Sequence, residues 1–71
     1  METIKKEFKF ANFIESMGFV QKVALIAEKM DHHPDIIIKY NLVTIESWTH
    51  TTRSVTEKDH RLMAAIEKTL E

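Results

Sequence analysis

The stretch Glu28–His50, "EKMDHHPDIIIKYNLVTIESWTH", decides the fold. It starts as the end of a helical run, passes two adjacent histidines and a proline, and continues as strand. Pro34 makes further helix unfavourable and biases His33 toward extended backbone. Ile36–Tyr40 is rich in β-branched residues. Val43–His50 alternates with period two: Val43 and Ile45 face one side, and Leu42, Thr44, Glu46, Trp48 and His50 the other. The join around Asn41 is so tight that the two segments should form an antiparallel hairpin. Antiparallel pairing then returns His50 to the end where His32 and His33 precede the first strand.

Working outward, Thr3–Phe10 reads as a strand, with Ile4, Phe8 and Phe10 on one side and charged residues between them. Asn12 is placed to cap a helix that runs to about Met30, and Glu15 stands three residues on, as in a capping box. At 100° per residue, Phe13, Met17, Val20, Ala24 and Ala27 form one apolar stripe, and Phe19, Val23, Ile26 and Met30 a second beside it. That width implies contact with both a sheet and a neighbouring helix. Gly18 weakens this helix by up to ~1 kcal/mol relative to Ala. Thr51–Val55 is a polar loop. Thr56 caps a last helix, whose buried stripe is Leu62, Met63, Ile66 and Leu70. The expectation is an α+β fold, order β-α-β-β-α, with helices packed on one face of a small antiparallel sheet.

Seventy-one residues suit a single domain over 1–71, with a core that buries only about 60% of the unfolded surface. The absence of cysteine excludes a disulfide scaffold and a thiol nucleophile. There is no apolar signal region at the start and no run of ~20 apolar residues, so a soluble cytoplasmic protein with no membrane contact is expected. The ten Lys and Arg are scattered and the net charge is −1, which argues against direct nucleic-acid binding.

Two features of the pattern point to chemistry. Asp59 lies three, four and seven residues before Leu62, Met63 and Ile66, so a carboxylate extends an apolar stripe. It is either paired there or serving the first helical turn, where an acid favours the helix dipole. The histidines are the second feature, because imidazole changes charge near neutral pH. Singly, His32 and His33 can serve the helix end, with Glu28 an ordinary i,i+4 neighbour of His32, and His50 can be an exposed strand end. His60 falls on a solvated face. Together, His32, His33, His50 and Asp59 can meet at one sheet edge and run acid–base catalysis. Adjacent histidines in extended chain point to opposite sides, so no metal site is expected.

The spacing resembles the pterin-4a-carbinolamine dehydratase family. Its signature is an acid, three residues, His-His-Pro, five residues, an aromatic, nine residues, His, at least eight residues and Asp. Here Glu28, His32-His33-Pro34, Tyr40, His50 and Asp59 stand at those spacings. "FKF" at Phe8–Phe10 and "VALIAEKM" at Val23–Met30 also look like the family.

The resemblance implies the family fold without its N-terminal helix and strand, for which the chain starts too late. It implies dehydration of 4a-hydroxytetrahydropterin to quinonoid dihydropterin, in tetrahydrobiopterin recycling, with no cofactor. By the same resemblance, His32 and His50 form the acid–base pair. His33, with Pro34 and Glu28, binds the pterin, and Asp59 orients an imidazole. A homodimer or homotetramer is expected. The alternatives are a protein-interaction role, since the family includes dimerisation cofactors of a transcription factor, or dehydration of another pterin. For the interaction role, Ile14, Gly18 and Leu25 lie on the far side of the long helix.

Overall fold

The computed structural model describes residues 1–71. Its elements are β1 (Ile4–Lys9), α1 (Phe13–Met30), β2 (Asp35–Lys39), β3 (Leu42–Ser47) and α2 (Glu57–Lys68), in the expected β-α-β-β-α order. The sheet is antiparallel with strand order β1-β3-β2. β3 is central because it makes the hairpin with β2, from Lys39↔Leu42 to Asp35↔Glu46, and pairs with β1 on its other edge. Lys5, Glu7, Lys9, Asp35 and Lys39 stay exposed on the face away from the helices.

The core sits between that sheet and the two helices. Phe19, Val23 and Ala27 of α1 meet Val43 and Ile45 of β3 and Leu62, Met63 and Ile66 of α2. Phe8 and Phe10 each bring their ring centroid to 4.9 Å from that of Phe19, which ties β1 to α1.

The buried stripe of α1 is narrower than the spacing suggests. Ser16, Phe19, Val23 and Ala27 are buried, with Met17, Val20 and Ile26 half-buried beside them, whereas Phe13, Ala24 and Met30 are exposed. A three-stranded sheet and one neighbouring helix cannot cover half the circumference of an 18-residue helix. Leu70 is likewise exposed, because α2 ends at Lys68 and the chain turns away from the core.

Both ends of α1 close on local side chains and turns. Asn12 Oδ1 accepts from the Glu15 N–H (2.9 Å), and Glu15 Oε1 accepts from the Ala11 N–H (3.1 Å). The reciprocal bond therefore falls one residue earlier than in a capping box. At the other end Asp31 takes a left-handed conformation (φ 53°), donating its N–H to the Glu28 carbonyl, while His32 donates its N–H to the Ala27 carbonyl (3.1 Å). This Schellman pairing fixes the His32 backbone against the last turn of α1. No helix is long and apolar enough to cross a membrane.

Candidate active site

The end of α1, the end of β3 and the start of α2 converge at one edge of the sheet. Together they line an open cavity of about 290 Å³ walled by Asp31, His32, His33, Trp48, Thr49, His50, Thr51 and Lys58. The Schellman turn delivers His32 and His33, and the antiparallel hairpin returns His50 to them. The three imidazoles expected to meet do meet. His60 is exposed and lies outside the cavity wall.

Each of the three imidazoles has a different neighbour. His32 Nε2 lies 2.7 Å from Asp59 Oδ1, and its ring is mostly buried. His33 Nε2 lies 3.0 Å from Glu28 Oε1, with both side chains largely exposed. His50 packs on Trp48, ring centroids 4.0 Å apart, and Trp48 is the one apolar residue of the wall. Glu28 and Pro34 support the wall without forming it.

Asp59 stands behind the cavity, fully buried. Its Oδ1 accepts from His32 and from the Ser47 hydroxyl, 2.5 Å away. Its Oδ2 accepts from the Thr49 hydroxyl (2.7 Å) and the Thr56 N–H (2.9 Å). These four bonds fill all the lone-pair positions of a carboxylate. Burial alone would raise the Asp59 pKa. The bonds from Ser47, His32, Thr56 and Thr49 outweigh it and hold the carboxyl well below the usual range.

Both sequence readings of Asp59 hold at once. It completes the capping box of α2 with Thr56, and it is the partner of His32.

A relay of hydroxyls backs this carboxylate. Thr49 gives its only proton to Asp59, so across the 2.6 Å contact between Thr56 Oγ1 and Thr49 Oγ1 it is Thr56 that donates. Thr56 Oγ1 in turn accepts from the Lys58 N–H (3.3 Å). Bonds aligned in this way polarise one another.

Because Asp59 is ionised and can only accept, His32 must carry a proton on Nε2. Its Nδ1 is then the ring nitrogen left free for chemistry. No group of three or more His, Asp and Glu side chains comes together in a geometry that could hold a metal.

Ser47 and Thr49 are site residues that the motif spacing does not point to, whereas Trp48 falls on the His50 face of the alternating strand. Ser47 had a signal. It continues the inward series Val43, Ile45, so a hydroxyl at that position is buried and needs a partner.

The chain and its fold both have counterparts in other proteins. The sequence profile of the pterin 4 alpha carbinolamine dehydratase family matches residues 1–69. The chain belongs to that family. A pterin-4-alpha-carbinolamine dehydratase family protein of Prochlorococcus marinus is 55% identical over 67 residues, covering 94% of this chain and 70% of the relative. One of Sulfolobus acidocaldarius is 52% identical over 65 residues, covering 92% and 71%.

Among solved structures, the transcriptional coactivator/pterin dehydratase from Brucella melitensis superposes with a TM-score of 0.90 at 39% identity, over 94% of this chain and 71% of that one. A pterin dehydratase-like protein that is a RuBisCO assembly factor in the alpha-carboxysome shares the fold, with a TM-score of 0.79 at 21% identity, over 93% and 76%. The pterin dehydratase fold and family membership expected from the sequence are thus both present.

Proposed function

We propose that this pterin dehydratase family member removes water from a 4a-hydroxytetrahydropterin, with His32 as base and His50 as acid. The observation that carries the proposal is the bond from His32 to a carboxylate that can only accept. In the neutral ring the lone pair is then on His32 Nδ1, and His32 lines the same cavity as His50.

His32 Nδ1 takes the N5 proton of the substrate. The N–H electron pair becomes the N5=C4a double bond as the C4a–O bond breaks. His50 protonates the departing hydroxyl, which leaves as water. Solvent then returns a proton to His50 and removes one from His32. The product is the quinonoid dihydropterin, which a reductase returns to the tetrahydro form, as in tetrahydrobiopterin recycling. Only protons and water move, so the step needs no cofactor.

Each imidazole contributes ~10²–10⁴-fold. His33, steadied by Glu28 and by the restricted backbone before Pro34, holds the pterin ring. Asp59 is a positioning residue acting through His32.

The test is turnover of a 4a-hydroxytetrahydropterin generated by an amino-acid hydroxylase, followed as quinonoid dihydropterin. The His32→Ala, His50→Ala variant should fold and lose the acceleration. Near-wild-type turnover by that variant contradicts the assignment.

A second role is supported by the exposed face of α1. Ile14 is 81% and Leu25 73% exposed, with Gly18 between them. We propose that this row joins copies of the chain into a homodimer or homotetramer. Light scattering should give a multiple of 8.3 kDa, reduced to the monomer mass by Ile14→Glu with Leu25→Glu.

A further inference from the structure

We propose that the preferred pterin carries an anionic arm, a carboxylate or a phosphate, held by Lys58 and Arg61. The proposal rests on the pterin reading of the histidine cavity and adds a substrate class to it.

A second cavity of about 370 Å³ lies beside the first. It shares Asp31, His32 and Lys58 with the histidine cavity and adds Met30 and Arg61. Asp31, His32 and Lys58 therefore stand at the boundary, and a ligand seated against the histidines lies next to the second cavity. The histidine cavity alone is near the lower limit for a small-molecule site. The second cavity gives the arm of a substituted pterin seated there a place to extend.

The walls of the second cavity are polar and carry excess positive charge. Lys58 and Arg61 are three residues apart on α2, so they project from the same side of the helix. Neither has an acidic partner: the ion pairs of the chain are Lys6–Glu67, His32–Asp59 and His33–Glu28. Asp31 is the one carboxylate in the wall, against two permanent cations. The chain as a whole carries −1, so the local excess is not a general property of its surface.

Lys58 also runs against local electrostatics. It occupies the first turn of α2, at the positive end of the helix dipole, where an acid is favoured and a lysine is not. Local helix stability gives no reason for a cation there. An anion placed beside it gains from the lysine and the dipole together. Arg61 adds a planar fork suited to a carboxylate or phosphate. Departures from a local rule of this kind concentrate at functional sites.

The test is calorimetric titration of the full chain with three dihydropterins. One has a neutral polyhydroxypropyl arm, the second carries the same arm as its terminal phosphate ester, and the third is dihydropteroylglutamate. At low salt at least one anionic ligand should bind about tenfold more tightly than the neutral one, as two partly exposed charge contacts allow. Which one does so distinguishes a phosphate arm from a carboxylate arm.

In the Lys58→Ala, Arg61→Ala variant that preference should fall to about one, and 0.5 M salt (roughly a 4 Å Debye length) should erode it in the wild type. The remote Lys22→Ala variant should keep it. Equal affinity for all three ligands in the wild type overturns the anionic arm and leaves the pterin reading intact. Binding of none of them by the folded chain overturns both.

Discussion

His32 Nε2 lies 2.7 Å from Asp59 Oδ1, and Asp59 has no exposed surface. One buried carboxylate thereby caps α2, holds the end of β3 through Ser47 and Thr49, and orients the imidazole at the end of α1. Function and stability are joined at this residue. The Asp59→Asn variant keeps the shape but turns an amide group against a donor. It should lose at least ~10²-fold in turnover, because His32 loses its fixed tautomer, and about 2–4 kcal/mol of stability. Urea unfolding followed by circular dichroism, beside the turnover assay, measures both. Loss of stability with full activity would separate Asp59 from the chemistry.

The same carboxylate makes stability depend on acid. Its folded pKa lies below the unfolded value of ~3.9, so the folded state binds fewer protons than the unfolded one near that pH. The stabilisation is fully present above about pH 5 and is lost as pH falls through ~3.9 toward the folded pKa. Urea midpoints between pH 3 and 6 (roughly the range around the unfolded pKa) should fall toward acid in the wild type, and much less in Asp59→Asn. Equal slopes for the two proteins would show that other carboxylates carry the effect.

Ser47 is a residue whose substitution looks harmless on the strand and is not. Ser47→Ala removes one of the four donors to Asp59 and should cost about 1.5–3 kcal/mol, the worth of a bond to a charged group. Ser54→Ala, whose hydroxyl bonds an exposed Thr52, should stay within about 0.5 kcal/mol. The same urea titrations compare them. A neutral Ser47→Ala would mean that a water replaces the hydroxyl.

The hairpin, the two helices and the convergence of His32, His33 and His50 were legible because each rests on a strong local signal. Those signals are the proline after His33, period-two alternation through Ile45, and the capping residues Asn12 and Thr56. Asp59 was legible as a misplaced charge. The exposure of Phe13, Ala24 and Leu70 was not, because apolar spacing says what a helix can bury and not how much surface its neighbours offer. Trp48 was legible as a same-face neighbour of His50, because period-two alternation puts both on one side of the strand. The close stacking of the two rings, centroids 4.0 Å apart, was not, because it depends on how the chain bends after β3.

Gly18 offers a change in the opposite direction. It lies in α1, and a Cβ built there meets nothing within 4 Å. Gly18→Ala should raise stability by roughly 0.5–1 kcal/mol by reducing the freedom of the unfolded chain. A rise in melting temperature by differential scanning calorimetry checks it. A rise means that the contact between copies through Ile14 and Leu25 leaves room for a methyl group at Gly18, and destabilisation that the copies approach too closely there.

The most direct measurement is the rate of quinonoid dihydropterin formation from hydroxylase-generated 4a-hydroxytetrahydropterin, with wild type and with His32→Ala, His50→Ala. The account predicts acceleration by the wild type and its loss in a variant whose circular dichroism is unchanged. No acceleration by the folded wild type, or acceleration that survives both substitutions, contradicts it.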